Sequence, residues 1–274
     1  MTETIETVKA RLAPKQLELD GETYWIAEGD QLLDEDQLVF YVDELKRREE
    51  LRAEGDDAVP DDALTVVGGP SGLIGITGQD GRLVRWRDGK VLTYCVLKNT
   101  FGSDEEYLLA RQSVEQATKA WMDACGIEFR HEAAKDLSPT TTVTDVVFTV
   151  RKIDTGGRFI AAAFFPTDAP SRRRVFIDPS FFAQGLGFDR VGVLRHELGH
   201  VLGFRHEHIR VEAPAACPDE DIADVSILTG YDPKSVMHYF CGHVGDAKLL
   251  ITDMDIAGSQ RLYGPPLSAF QLVD

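Results

Sequence analysis

The chain has 274 residues, 43% of them hydrophobic, and a formal net charge of −17 from 29 basic and 46 acidic side chains. That is enough apolar material for a sizeable core in one large domain or two, and an acidic balance with no long basic run argues against nucleic acid and anionic membranes as partners. No stretch approaches the ~20 apolar residues of a spanning helix, and the opening MTETIETVKARLAPKQ has no apolar segment of a secretory signal; the expectation is a cytoplasmic protein, one exported by a non-classical route, or one whose leader has been trimmed.

In chain order, MTETIETVKARLA reads as a short helix, and residues 21–55 as strand followed by strong helix. Residues 55–75, GDDAVPDDALTVVGGPSGLIG, are rich in Gly, Pro and Asp and read as a linker or extended crossing. VLTYCVL (91–97) is a strand. Residues 103–126 form a long helix that Ser103 caps, with Glu106 completing a capping box and Gly126 stopping it. Strands follow at 127–132, 145–153, 158–166 and 173–179, with the arginine run 172–174 placed in a loop. VGVLRHELGHVL (191–202) sets Val191, Leu194, Leu198, Val201 and Leu202 on one helical face. TDMDIAGSQRLYG (252–264) reads as a closing helix ended by Gly264.

The chemistry concentrates in HELGHVLGFRHEH, residues 196–208, where four of the chain's seven histidines fall. His196 and His200 are four apart and so share a helical face, with Glu197 between them in an H-E-x-x-H zinc pattern. Gly203 can take the left-handed conformation that ends a helix and turn the chain so that His206 reaches the same ion. Three imidazoles and a water make an open catalytic zinc site. Chance copies of H-E-x-x-H occur in helices that bind nothing; here the third histidine and the glycine also hold their places. His208 lies outside the pattern and is expected near the site or at the surface, not as a ligand.

Downstream, SVMHY (235–239) supplies a methionine turn. H-E-x-x-H-x-x-G-x-x-H followed by such a turn is the metzincin pattern, and the two fragments resemble the astacin family of zinc endopeptidases, which also carry a glutamate after the third histidine (Glu207 here) and a tyrosine two residues after the turn methionine (Tyr239). The closing helix also resembles that of the matrixin branch. The resemblance covers roughly residues 82–264. It implies an α+β metzincin domain with a twisted mixed five-stranded sheet, an active-site helix and a Met-turn at 82–274, preceded by a pro-segment-like region at 1–81. It further implies one Zn2+ on His196, His200 and His206, Glu197 as general base toward a zinc-bound water, Tyr239 as labile fifth ligand and oxyanion donor, and Met237 as an apolar floor. Protein or peptide is then the substrate.

Other features stay open at this level. Gly156–Phe165 is either the edge strand on which a peptide substrate adds in extended form or an ordinary core strand. Cys217 and Cys241 flank the segment between the two motifs and can staple it, while Cys95 and Cys125 read as buried thiols. In WIAEGDQLL, Gly29-Asp30 partly resembles the F-x-G-D motif of astacin pro-segments, with Ala27 in place of the phenylalanine. On that reading Asp30 binds the zinc in place of water, and cleavage between about Thr77 and Arg85 releases activity, freeing a new N-terminus to pair with Glu207. The other reading is a simple turn. The chain departs from astacins in lacking a signal peptide, in having Cys241 as its last cysteine, and in the wording of 209–230. Against the endopeptidase stand a non-catalytic binding module on the same scaffold and a zinc hydrolase of non-peptide bonds.

Overall fold

A computed structural model describes residues 4–19, 21–27, 29–39, 41–42, 46, 73–78, 82–210, 212–217 and 225–271. Most of the expected linker, and the far part of the helix expected before it, lie outside these residues.

The N-terminal unit starts with α1 (Ile5–Leu12), capped by Thr4, whose side chain accepts from the Thr7 N–H. Three short antiparallel strands come next, β1 (Gln16–Leu19), β2 (Glu22–Ala27) and β3 (Gln31–Leu33), where the sequence pattern predicts one strand. Asp34 then caps helical residues 35–39 and 41–42 by accepting from the Gln37 N–H. This unit has its own apolar cluster: Val8, Leu12, Trp25, Ala27, Leu33, Leu38 and Val42.

β4 (Ile74–Ile76) lies in the stretch expected to be linker, but it is the middle strand of a small antiparallel sheet between β10 (Phe204–Arg205) and β11 (Val225–Ile227). Leu73, just before it, is wholly buried in the main core. Residues 73–76 thus pair and pack with residues of the larger, C-terminal unit.

The main sheet is mixed and five-stranded. Its order is β6 (Glu128–His131), β5 (Val91–Val96), β7 (Phe148–Lys152), β9 (Arg174–Ile177), β8 (Ala161–Ala162). All neighbours run parallel except β8, which is antiparallel to β9 and forms the outer edge. The strand expected over 158–166 is thus paired at only two residues. Consecutive buried residues, Tyr94, Cys95 and Val96 in β5 and Phe148, Thr149, Val150 and Arg151 in β7, fit strands covered on both faces.

Two long helices pack against each other, α2 (Asp104–Ala124) and α3 (Arg190–Val201), and α4 (Asp253–Tyr263) closes the chain. Trp121 on α2 is fully buried, donates from Nε1 to the Arg195 carbonyl at 2.8 Å and stacks on Phe204. Two expected details differ. Ser103 does cap α2, but Glu106 completes no capping box; its carboxylate accepts from the Gly102 N–H and pairs with Lys152 at 2.7 Å. Gly126 does not end the helix through a left-handed turn. It is glycine because a Cβ there would lie 2.4 Å from the Tyr263 carbonyl, where the end of α4 crosses. Gly264, at φ +74°, ends α4 as expected.

Candidate metal centre

Asp189 starts α3 by accepting from the Gly192 N–H at 2.6 Å, and the helical period then brings His196 and His200 together, with ring centroids 4.9 Å apart. Each Nδ1 faces a backbone carbonyl at 2.8 Å, Val236 for His196 and Phe204 for His200. A carbonyl only accepts, so each Nδ1 carries the proton and each Nε2 presents a lone pair. Burial pushes the pKa of His200 down to about 4, which keeps it neutral at ordinary pH. Gly203, at φ +91°, makes the expected turn, its N–H donating to the His200 carbonyl, and the chain comes back with His206.

His206 Nε2 lies 3.1 Å from His200 Nε2 and 3.2 Å from His196 Nε2. The Asp30 carboxylate completes the group, with Oδ2 at 3.1 Å from His206, 3.4 Å from His196 and 3.7 Å from His200. The four donor atoms all lie within 4.8 Å of one another and all four residues are buried. Tetrahedral zinc with ~2.0–2.1 Å bonds separates its nitrogen ligands by roughly 3.3 Å, close to the spacings here. Lone pairs pointed at each other at this range repel unless a cation lies between them. The donor set therefore fits a zinc ion in number, type and spacing.

Asp30 arrives on the turn between β2 and β3. Gly29 there has φ +90°, and a Cβ on it would lie 2.5 Å from the Tyr239 hydroxyl, so glycine permits the close approach. Tyr239 donates from its hydroxyl to Asp30 Oδ2 at 2.8 Å. Burial alone would raise the Asp30 carboxyl, but the imidazoles clustered around it, His206 foremost, hold it well below its usual range. Glu197 is displaced upward by burial and by the neighbouring Asp30 charge. Its Oε2 has no hydrogen-bond partner among the described residues. Glu197 lines an apolar cavity of about 380 Å3 together with Phe159, Ile160, Ala161, Phe188 and Leu249.

The methionine turn lies below. Met237 is fully buried, and its sulfur packs so closely on α3 that a Cβ at Gly199 would lie 2.2 Å from Sδ. Asp255 of α4 holds the turn, accepting from Ser235 Oγ at 2.6 Å and from the Val236 N–H at 2.8 Å. Burial lifts its carboxyl to about 7. Because the Val236 carbonyl orients His196, Asp255 acts on the centre at one remove. Phe165 sets its ring edge-on against His200, with centroids 5.3 Å apart. Gly199, Phe165 and Asp255 are not legible as site residues in the sequence: a lone glycine, phenylalanine or aspartate carries no spacing signal of its own.

Glu207 is fully buried, accepts from the Asp232 N–H at 2.9 Å and pairs with Arg210 at 2.7 Å. Burial, opposed by Arg210, lifts its carboxyl to about 8. His208 is not at the surface. It stacks on Tyr239, centroids 4.3 Å apart, and is not one of the four converging donors. Cys217 and Cys241 form a disulfide, and Cys241 lines the apolar cavity. Cys95 and Cys125 are buried free thiols that burial pushes up to about 12. The arginine run is more than a loop: Arg172 ends a 3-10 turn, Arg174 starts β9, and the Arg173 guanidinium lies over the Trp86 ring. No described helix is long and apolar enough to cross a membrane.

A family model for the matrixins matches residues 85–213, ending before α4, the helix on which the matrixin resemblance had rested. Among solved structures, the chain is similar to high choriolytic enzyme 1, a hatching-enzyme zinc protease of the medaka Oryzias latipes. The match has 18% identity and a TM-score of 0.42, over 66% of this chain and 94% of that one.

Proposed function

We propose that the chain is a zinc metalloendopeptidase of the metzincin type, a reading the matrixin match over residues 85–213 supports, and that it is made latent, with Asp30 occupying the position that an attacking water needs. The observation that carries the reading is the convergence of His196, His200, His206 and Asp30 on one point beside Glu197 and the apolar cavity.

On this reading His196, His200 and His206 hold the ion, which when bound supplies Lewis-acid polarisation of the scissile carbonyl and a lowered pKa for water. Glu197 Oε2 takes the proton from the attacking water, and the same carboxyl returns it to the leaving amine. The Tyr239 hydroxyl donates to Asp30 in the intact chain and to the developing oxyanion once Asp30 leaves. Apolar side chains along 159–161 and at Phe188 and Leu249 hold a substrate side chain and exclude water. The β8 edge offers main-chain partners to an extended peptide; in the intact chain Leu19, Tyr24 and Ile26 pack on Phe159, Ala162 and Phe176 beside it.

The packing of Leu73 and β4 supports an activating cut before Leu73, not between Thr77 and Arg85, since a cut there would sever β4 from the rest of its unit. The test compares the intact chain, Asp30→Ala and a chain cut after folding within residues 50–68, on an unfolded protein library with and without chelator. Asp30→Ala and the cut chain should both exceed the intact chain; equal activity in all three removes Asp30 from the role. Glu197→Ala should keep zinc and lose about 10²–10⁴ in rate. Wild-type rates in that variant would refute the base assignment, and zinc without any cleavage by the cut wild type would favour the binding module.

A further inference from the structure

The arginine run lies outside the centre, yet two of its members hold the N-terminal unit. Arg172 pairs through Nε with Asp34 and through Nη2 with Asp36 at 2.9 Å. Arg174 donates from Nη2 to the Tyr24 hydroxyl at 2.8 Å. Arg172 also lines a second cavity, of about 420 Å3, with Gln31, Tyr41, Phe165, Asp168 and Arg205. Phe165 touches both this cavity and His200, so the cavity adjoins the metal centre.

The two cavities lie along one stretch of chain. Phe159, Ile160 and Ala161 line the apolar one, and Phe165, Thr167, Asp168, Ala169 and Arg172, just after β8, line the second. Their chemistry differs: the first is walled by aromatic and aliphatic groups, the second has the guanidinium groups of Arg172 and Arg205. The N-terminal unit spans from the centre to Arg172 through β3, from Asp30 to Asp34. That is four residues of extended chain at ~3.3 Å each, about 13 Å.

We propose that Arg172 is a specificity-determining residue. With the N-terminal unit out of the cleft, its guanidinium binds a substrate carboxylate three or four residues from the scissile bond. That acidic residue lies on the opposite side of the bond from the side chain that enters the apolar cavity. The proposal rests on the latency reading, in which Asp34 and Asp36 occupy the place of that acidic residue. Asp34 also caps its helix through Oδ1, but it is Oδ2 that meets Arg172, so capping alone does not account for the pair. Asp168, the neighbouring carboxylate of the larger unit, turns Oδ2 to the Phe165 N–H at 2.8 Å. In a chain of net charge −17, the overall field repels acidic peptides, so a preference for them requires a local cation.

The full chain, carrying an inserted protease site within residues 50–68 and cut after folding, is profiled by mass spectrometry on a denatured-protein peptide library, as wild type, Arg172→Ala and Arg172→Glu. Wild type should enrich Asp and Glu at one position three or four residues from the cut bond. Its kcat/KM for a Glu peptide over the matching Ala peptide should be about fivefold, the worth of one partly exposed ion pair, and should shrink at high ionic strength. Arg172→Ala should bring the ratio near one, and Arg172→Glu should shift the preference to Lys or Arg. No acidic enrichment, or enrichment that survives in Arg172→Ala, overturns the proposal. A cut chain that holds zinc but cleaves nothing overturns the endopeptidase reading and this one with it. Equal activity of intact and cut chains overturns latency alone, and the Arg172 profiles still decide this assignment.

Discussion

Gly199→Ala tests how the methionine turn supports the centre. The added Cβ would lie 2.2 Å from Met237 Sδ, 3.1 Å from its Cε and 3.4 Å from Trp121 Cζ2. Non-bonded heavy atoms rest at about 3.5–4.0 Å, so the sulfur must retreat by more than about 1 Å. It has little room, because Met237 and Trp121 are both fully buried. Overpacking of this kind costs about 1–3 kcal/mol, while alanine in place of a helix-interior glycine returns roughly 0.5–1 kcal/mol. The net loss is about 1–2 kcal/mol, which in a protein of this size lowers Tm by roughly 2–8 °C. The displacement also reaches the ligands. The Met237 carbonyl accepts from the Glu207 N–H at 2.8 Å, and the adjacent Val236 carbonyl orients His196. Loss of such an outer contact weakens metal affinity by about 10–100-fold. Calorimetry of the zinc-loaded protein reads the first effect and competition with a chromogenic chelator the second. A Gly199→Ala protein that melts at or above wild type with unchanged zinc affinity would refute the reasoning.

Asp255→Ala should destabilise more, by about 3 kcal/mol or more, because it strands buried donors on Ser235 and Val236 and a half-buried one on Thr252; equal Tm and equal zinc retention would remove Asp255 as the prop of the turn. Asp178 is buried, which by itself would raise its pKa, but hydrogen bonds from Thr155 and Ser180 hold it below the usual value. A depressed folded pKa gives stability that is fully present above the unfolded value of ~3.9 and is lost as pH falls through the folded pKa. The Tm gap between wild type and Asp178→Ala should therefore be full at neutral pH and narrow at pH below ~3.9; a gap that widens on acidification would contradict the assignment.

The sequence by itself determined what local geometry can carry. A period of 3.6 residues places His196 and His200 on one face, and Gly203 supplies the turn that brings His206 back. These signals sit within a few residues of one another, and so does the pairing of Met237 with Tyr239 in one short turn. The long helix at 104–124, the alternating strands at 91–96 and 148–152, and the closing helix were legible for the same reason.

Only the tertiary structure decided the rest. Asp30 reaches His206 across a sequence separation of 176, and the two-residue match of Gly29 and Asp30 in AEGD left a simple turn open. β4 comes from a stretch whose Gly and Pro content reads as linker, yet it pairs on both sides, because neighbours more than a hundred residues away supply its hydrogen-bond partners. Gly126 looks like helix punctuation in a one-dimensional reading, and Gly199 carries no signal there. In three dimensions each is the spot where another element comes too close for a Cβ. The arginine run reads as a solvated loop until the fold sets Asp34 and Asp36 against it. A contact between residues far apart in sequence leaves no period in either partner's own stretch, so it becomes visible only where the chain has closed on itself.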